Sequence, residues 1–64
     1  MNYSKYAKIR DAKGYTDYQV SKKTGISTST LSEWKSGLTK PKVDKLILIA
    51  DLFEVTLDEL ARED

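Results

Sequence analysis

The chain has 64 residues, 39% hydrophobic and 33% charged, which fits one small globular domain that buries only about 60% of its unfolded surface. It has no Cys and no His, so disulfides, Cys/His zinc sites and His-dependent nucleophilic or acid–base catalysis are excluded. The net charge of +1 hides a split: residues 1–45 carry ten basic and four acidic side chains (+6), and residues 46–64 carry one basic and six acidic (−5).

The first predicted helix runs from about Tyr3 to Lys13, with Tyr6 and Ile9 facing inward and Gly14 stopping it. The second opens on a capping box: Thr16 accepts from the Gln19 backbone and Gln19 reaches back to Thr16. Its inner face is Val20 with small Ser21, and it ends before Gly25. At barely two turns it cannot be stable alone. Ser27 is the expected N-cap of the third helix, whose inner face is Leu31 and Trp34. The other face holds Thr28, Ser29, Ser32, Glu33 and Lys35, a poor helix by propensity that packing must hold.

A loop follows, Gly37 to Lys42, containing the only proline, Pro41. The fourth helix, about Val43 to Glu54, carries one apolar stripe of Val43, Leu46, Ile47, Ala50 and Phe53. Thr56-Leu57-Asp58-Glu59 reads as a second capping box, opening a short fifth helix that includes Leu60. No stretch alternates as a half-buried strand does. The expected fold is therefore all-α: five short helices in a single domain over residues 1–64.

Two short helices joined by Thr24-Gly25-Ile26-Ser27 form the core of a helix-turn-helix over about residues 17–36. Gly25 permits positive φ in the turn, and Ser21 is small enough for the helices to cross closely. Val20, Ile26, Leu31 and Trp34 pin the pair to the rest of the domain. The third helix, about 28–36, can then lie in a DNA major groove with its N-terminal residues at base edges. The basic part of the chain suits that anionic partner, although segregated charges also occur on surfaces that are merely solvated.

The same residues resemble the Cro and phage-repressor-like (XRE) helix-turn-helix family, whose fold is that of the lambda-repressor DNA-binding domain. The resemblance rests on Lys13-Gly14-Tyr15-Thr16, Val20-Ser21-Lys22-Lys23-Thr24-Gly25-Ile26-Ser27, Ser29-Thr30-Leu31-Ser32, Lys35-Ser36-Gly37, Lys40-Pro41 and Val55-Thr56-Leu57-Asp58-Glu59-Leu60. It covers about Tyr6 to Leu60 and implies that Ser27, Thr28, Ser29, Ser32 and Glu33 approach base edges. Ser and Thr hydroxyls pair with donors or acceptors alike, the Thr28 methyl suits a thymine methyl, and Glu33 suits a cytosine amino group. It also implies that Asp17 to Gln19 lie beside the sugar-phosphate backbone and that Lys35, Lys40 and Lys42 contact phosphates, fixing orientation rather than sequence.

Three positions depart from the family pattern, one of them Glu33, which adds a second negative charge on the DNA side beside that of Asp17. Asp17 stands where a phosphate-bonding Gln is usual, and it is expected to repel a phosphate while suiting a helix N-terminus. Arg10 fits the first half of a family ion pair whose second half, late in the third helix, is here Lys35, so that pair cannot form. Tyr18 then reads either as the backbone contact, through its hydroxyl and beside Gln19, or as plain surface. Trp34 reads as core rather than as a base-stacking residue. Lys22 and Lys23 read as a solvated face.

Leu48 and Leu52 lie off the main stripe. They read as core periphery or, with Leu57 or Leu60, as a dimer seam, since the family often dimerises through its fourth and fifth helices. The expected protein is a DNA-binding transcriptional regulator, a repressor acting as a homodimer on a palindromic operator of double-stranded DNA. The other reading is a protein-interaction module on the same scaffold, antirepressor or antitoxin-like, motivated by Asp17, Glu33 and the acidic end. No enzyme activity, cofactor, metal or small-molecule effector is expected. The longest apolar run, Leu46–Ala50, is too short for a membrane span, and Met1-Asn2-Tyr3-Ser4-Lys5 has no apolar export signal, so the expected compartment is the cytoplasm. The abrupt end at Glu63-Asp64 also suits a domain cut from a longer chain.

Overall fold

Five helices fold around one apolar centre in the computed structural model, which describes residues 3–62. Met1, Asn2, Glu63 and Asp64, on which the expectations about a leader and an abrupt end partly rest, lie outside the described residues. The helices are α1 (Tyr3–Ala12), α2 (Asp17–Thr24), α3 (Thr28–Ser36), α4 (Val43–Phe53) and α5 (Leu57–Ala61). There is no strand among the described residues. None of these helices is long and apolar enough to cross a membrane.

Helix boundaries follow the capping chemistry. The Thr16 hydroxyl accepts from the Gln19 backbone N–H at 3.2 Å, and the Gln19 side-chain Oε1 accepts from the Thr16 backbone N–H at 2.9 Å, so the capping box is complete. Ser27 caps α3 by accepting from the Thr30 N–H, and Thr56 caps α5 by accepting from the Glu59 N–H. Gly25 ends α2 at φ 81°, a conformation that glycine adopts without a Cβ penalty.

The core consists of Tyr6, Val20, Ile26, Leu31, Trp34, Leu46, Ile49, Ala50, Phe53 and Leu60, with no polar or charged residue buried beside them among the described residues. Each fully buried large aliphatic or aromatic side chain contributes about 1.5–3 kcal/mol. Tyr6 is the aromatic hub: its ring stacks on Phe53 at 5.9 Å and meets the Trp34 ring edge-on at 6.5 Å. The Tyr15 ring also stacks on Phe53, at 5.8 Å. Trp34 is therefore core, as its spacing from Leu31 requires.

The phase of α4 differs from the expected stripe. Leu46, Ile49, Ala50 and Phe53 face inward, whereas Val43 and Ile47 are 61% and 46% exposed. The helix carries more apolar residues than one face can hold, so tertiary partners rather than periodicity choose the phase. α4 also stops at Phe53, one residue early. Glu54 forms the cap at φ 59°, with its N–H on the carbonyls of Ala50 and Asp51. α1 likewise ends at Ala12, and Lys13 belongs to the turn that Gly14 completes.

Candidate nucleic-acid interface

α2, its turn and α3 are fixed from both ends. Val20 and Ile26 are buried either side of the turn, and Leu31 and Trp34 bury the inner face of α3. Thr24 stitches the turn: its hydroxyl donates to the Val20 carbonyl at 2.7 Å and accepts from the Ile26 N–H at 3.2 Å. This role of Thr24 was not read from the sequence, although an ST-type turn beside a glycine is a recognisable signal.

At 100° per residue, Ser29, Ser32, Glu33 and Ser36 fall on the arc of α3 opposite Leu31 and Trp34, with Thr28 and Lys35 at its edge, and all but Glu33 are exposed. The structure thus presents a row of hydroxyls with one lysine at its edge. Ser27 is exposed at the head of the row, but its hydroxyl is shared between the Thr30 N–H and the Thr30 hydroxyl, 2.9 Å away. Glu33 is the half-buried member of the arc, and its carboxylate accepts from the Thr39 hydroxyl at 3.3 Å. Glu33 is thereby tied to the following loop.

Lys35, Lys40 and Lys42 are all exposed. Beside them, an open cleft of about 340 Å³ lies between α3 and the start of α4. Lys40, Lys42 and Lys45 line it with Thr30, Trp34, Thr39 and Asp44. Several cations around an open cleft can hold an anionic ligand by charge without reading its sequence.

At the other end, Tyr18 is 62% exposed and Gln19 is exposed. The Lys22 ammonium stands 5.5 Å from the centre of the Tyr18 ring, so Lys22 is linked to that site rather than separate from it. The capping box uses the Gln19 oxygen, which leaves the amide NH₂ as the donor this side chain can offer.

The expectation that Asp17 presents an open charge is corrected by its surroundings. Its Oδ1 accepts from the Tyr6 hydroxyl at 2.7 Å and from Arg10 Nη1 at 2.8 Å, and its Oδ2 accepts from the Tyr3 hydroxyl at 3.0 Å. Arg10 also donates to the Tyr3 hydroxyl and to Asp11, and it lies 5.6 Å from the centre of the Tyr6 ring. Arg10 thus finds its acid at the start of α2 instead of in α3. Burial pushes the Asp17 carboxyl up, but hydrogen bonds from Tyr6, Arg10 and Tyr3 outweigh it and hold the group below the usual range. Burial and the bond to Asp17 push the Tyr6 hydroxyl well up, and the bond to Asp17 raises Arg10 further. Sequence reading missed this cluster. The signal was present as Tyr3, Tyr6 and Arg10 at i, i+3 and i+7, one face of α1.

The four leucines expected at a seam separate. Leu48 is 40% exposed, while Leu52 and Leu57 are half-buried and pack against the core. Leu60 has no exposed surface, so the expectation that it touches a second chain is withdrawn: its side chain completes this chain's own core.

Residues 7–60 match the family model described as helix-turn-helix. Over 60 residues the chain is 33% identical to the HTH-type transcriptional regulator AnsR of Bacillus subtilis (strain 168), a match covering 94% of this chain and 52% of that protein. Over 56 residues it is 34% identical to the HTH-type transcriptional activator BcrR of Enterococcus faecalis, covering 88% of this chain and 28% of that protein. The chain therefore spans about half the length of the first relative and just over a quarter of the second. No solved structure matches it significantly.

Proposed function

The chain belongs to the helix-turn-helix family of the Cro and phage-repressor-like (XRE) type, and we propose that it regulates transcription by binding double-stranded DNA through α3. The observation that carries this reading is the hydroxyl face of Thr28, Ser29, Ser32 and Ser36, held outward because Leu31 and Trp34 anchor the opposite side. Thr28, Ser29 and Ser32 read base edges, with Ser27 and Glu33 at the ends of the row. Lys35, Lys40 and Lys42 take phosphates on one side, and Tyr18 and the Gln19 amide take them on the other. This family is one of DNA-binding regulators and not a class of enzymes.

The regulator acts as a homodimer on a palindromic operator, with half-sites about one helical turn apart, and it represses by occupying promoter DNA. Leu48 is the exposed centre of the seam, flanked by Leu52 and Leu57. Sedimentation equilibrium of wild type and Leu48→Glu, with and without a palindromic duplex, tests the seam: equal masses throughout would remove it. The action as a protein-interaction module loses its main support, because Asp17 is paired with Arg10 and Glu33 is engaged by Thr39. Fluorescence anisotropy of a labelled duplex across a salt series tests DNA binding itself. Affinity falls steeply as salt rises, with a slope of about −0.9 per phosphate contact. Absence of binding at the lowest salt contradicts the reading.

A further inference from the structure

The Asp17 carboxylate stands at the first turn of α2, beside Tyr18 and Gln19, where a free negative charge would oppose a phosphate. Most of its lone pairs are engaged from α1: Oδ1 accepts from Tyr6 at 2.7 Å and Arg10 at 2.8 Å, and Oδ2 from Tyr3 at 3.0 Å. Arg10 in turn is mostly engaged within the chain, because Nη1 serves Asp17 and Tyr3 while Nε and one hydrogen of Nη2 serve Asp11. Its side chain is 18% exposed, against 36% for Asp17. Arg10 therefore acts through Asp17 rather than on a ligand. The Tyr6 ring continues the cluster inward to the Trp34 edge on the buried side of α3.

We propose that Arg10 and Asp17 form a charge mask for the interface: Arg10 cancels the carboxylate at the start of α2 that would otherwise repel a phosphate. This inference rests on the DNA-binding reading. It goes further by assigning two residues outside the recognition helix a share in the affinity for any DNA sequence. The mask acts on backbone charge alone, so breaking it changes affinity on all sequences alike and leaves base preference intact.

The test is the salt dependence of binding to a random-sequence duplex, alongside thermal melting, for wild type, Arg10→Met, Asp17→Asn and the double variant. Asp17→Asn keeps the shape and one acceptor but removes the negative charge. It binds severalfold more tightly than wild type, with a salt slope steeper by up to about one unit. Arg10→Met uncovers the carboxylate, and its binding is weaker and its slope shallower. The double variant returns towards the wild-type slope, although its melting temperature stays low. A cluster with only a structural role would lower melting temperatures and leave the slopes equal, and that result overturns the proposal. If Arg10→Met does not fold, Asp17→Asn alone decides: a slope steeper than wild type supports the mask, and an equal slope overturns it. Wild-type binding with four equal slopes sinks the mask alone, whereas no wild-type binding at low salt sinks the DNA reading and the mask with it.

Discussion

Asp17 keeps its charge at the head of α2 because three donors from α1 surround it, and that arrangement makes stability depend on acid. Its carboxyl lies below the ordinary value of 3.8 in the folded chain, so near that pH the unfolded state binds more protons. The stabilisation is fully present above the ordinary value and is lost as pH falls through the lowered native one. Urea midpoints measured over roughly pH 5 to 2 should therefore fall more steeply for wild type than for Asp17→Asn. Parallel curves would show that the cluster does not shift the carboxyl. The partner of Arg10 was not legible in the sequence, because Asp17 lies beyond the end of α1, across the Gly14 turn, where no helical spacing applies. The caps at Thr16, Ser27 and Thr56 were legible because each bond joins residues three apart.

Among the elements, α2 and α3 were readable from local chemistry, and α4 was not. In α2 and α3 a cap, a glycine stop and one or two apolar residues leave a single way to bury the helix. In α4 the run Leu46–Ala50 offers several phases, and contacts with α2 and α5 select the one that buries Ile49 and exposes Ile47. Leu60 shows the same limit: a five-residue helix has no periodicity to say which of its leucines faces inward, and here it is fully buried. The end of α4 carries a local strain. Glu54 is the only non-glycine residue with positive φ among those described, and its acidic side chain sits at the negative end of a helix. Glu54→Gly is expected to stabilise the fold by about 0.5–1 kcal/mol in thermal or urea denaturation. A destabilised variant would mean that the Glu54 side chain makes a contribution larger than the strain.

Across the whole molecule, charge and shape run in the same direction. The basic residues 1–45 contain the hydroxyl face of α3 and the lysine-lined cleft, while the acidic residues 46–64 contribute α5 and most of α4, with Leu48 exposed. The candidate interface was legible as a set of residue types on one arc of a short helix. Its edges were not, because the ties of Glu33 to Thr39 and of Arg10 to Asp17 are made between elements or across turns. On the proposed function, α3 reads DNA sequence while the lysines supply affinity. Selection of bound duplexes from a random-sequence pool at two salt concentrations, followed by sequencing, tests it most directly. The account predicts a palindromic motif, lost from the pool selected by a Thr28→Ala, Ser29→Ala variant, and retained at lower yield with Lys40→Ala. A pool with no enriched motif, or one in which the Thr28 and Ser29 variant selects the same motif as wild type, would contradict it.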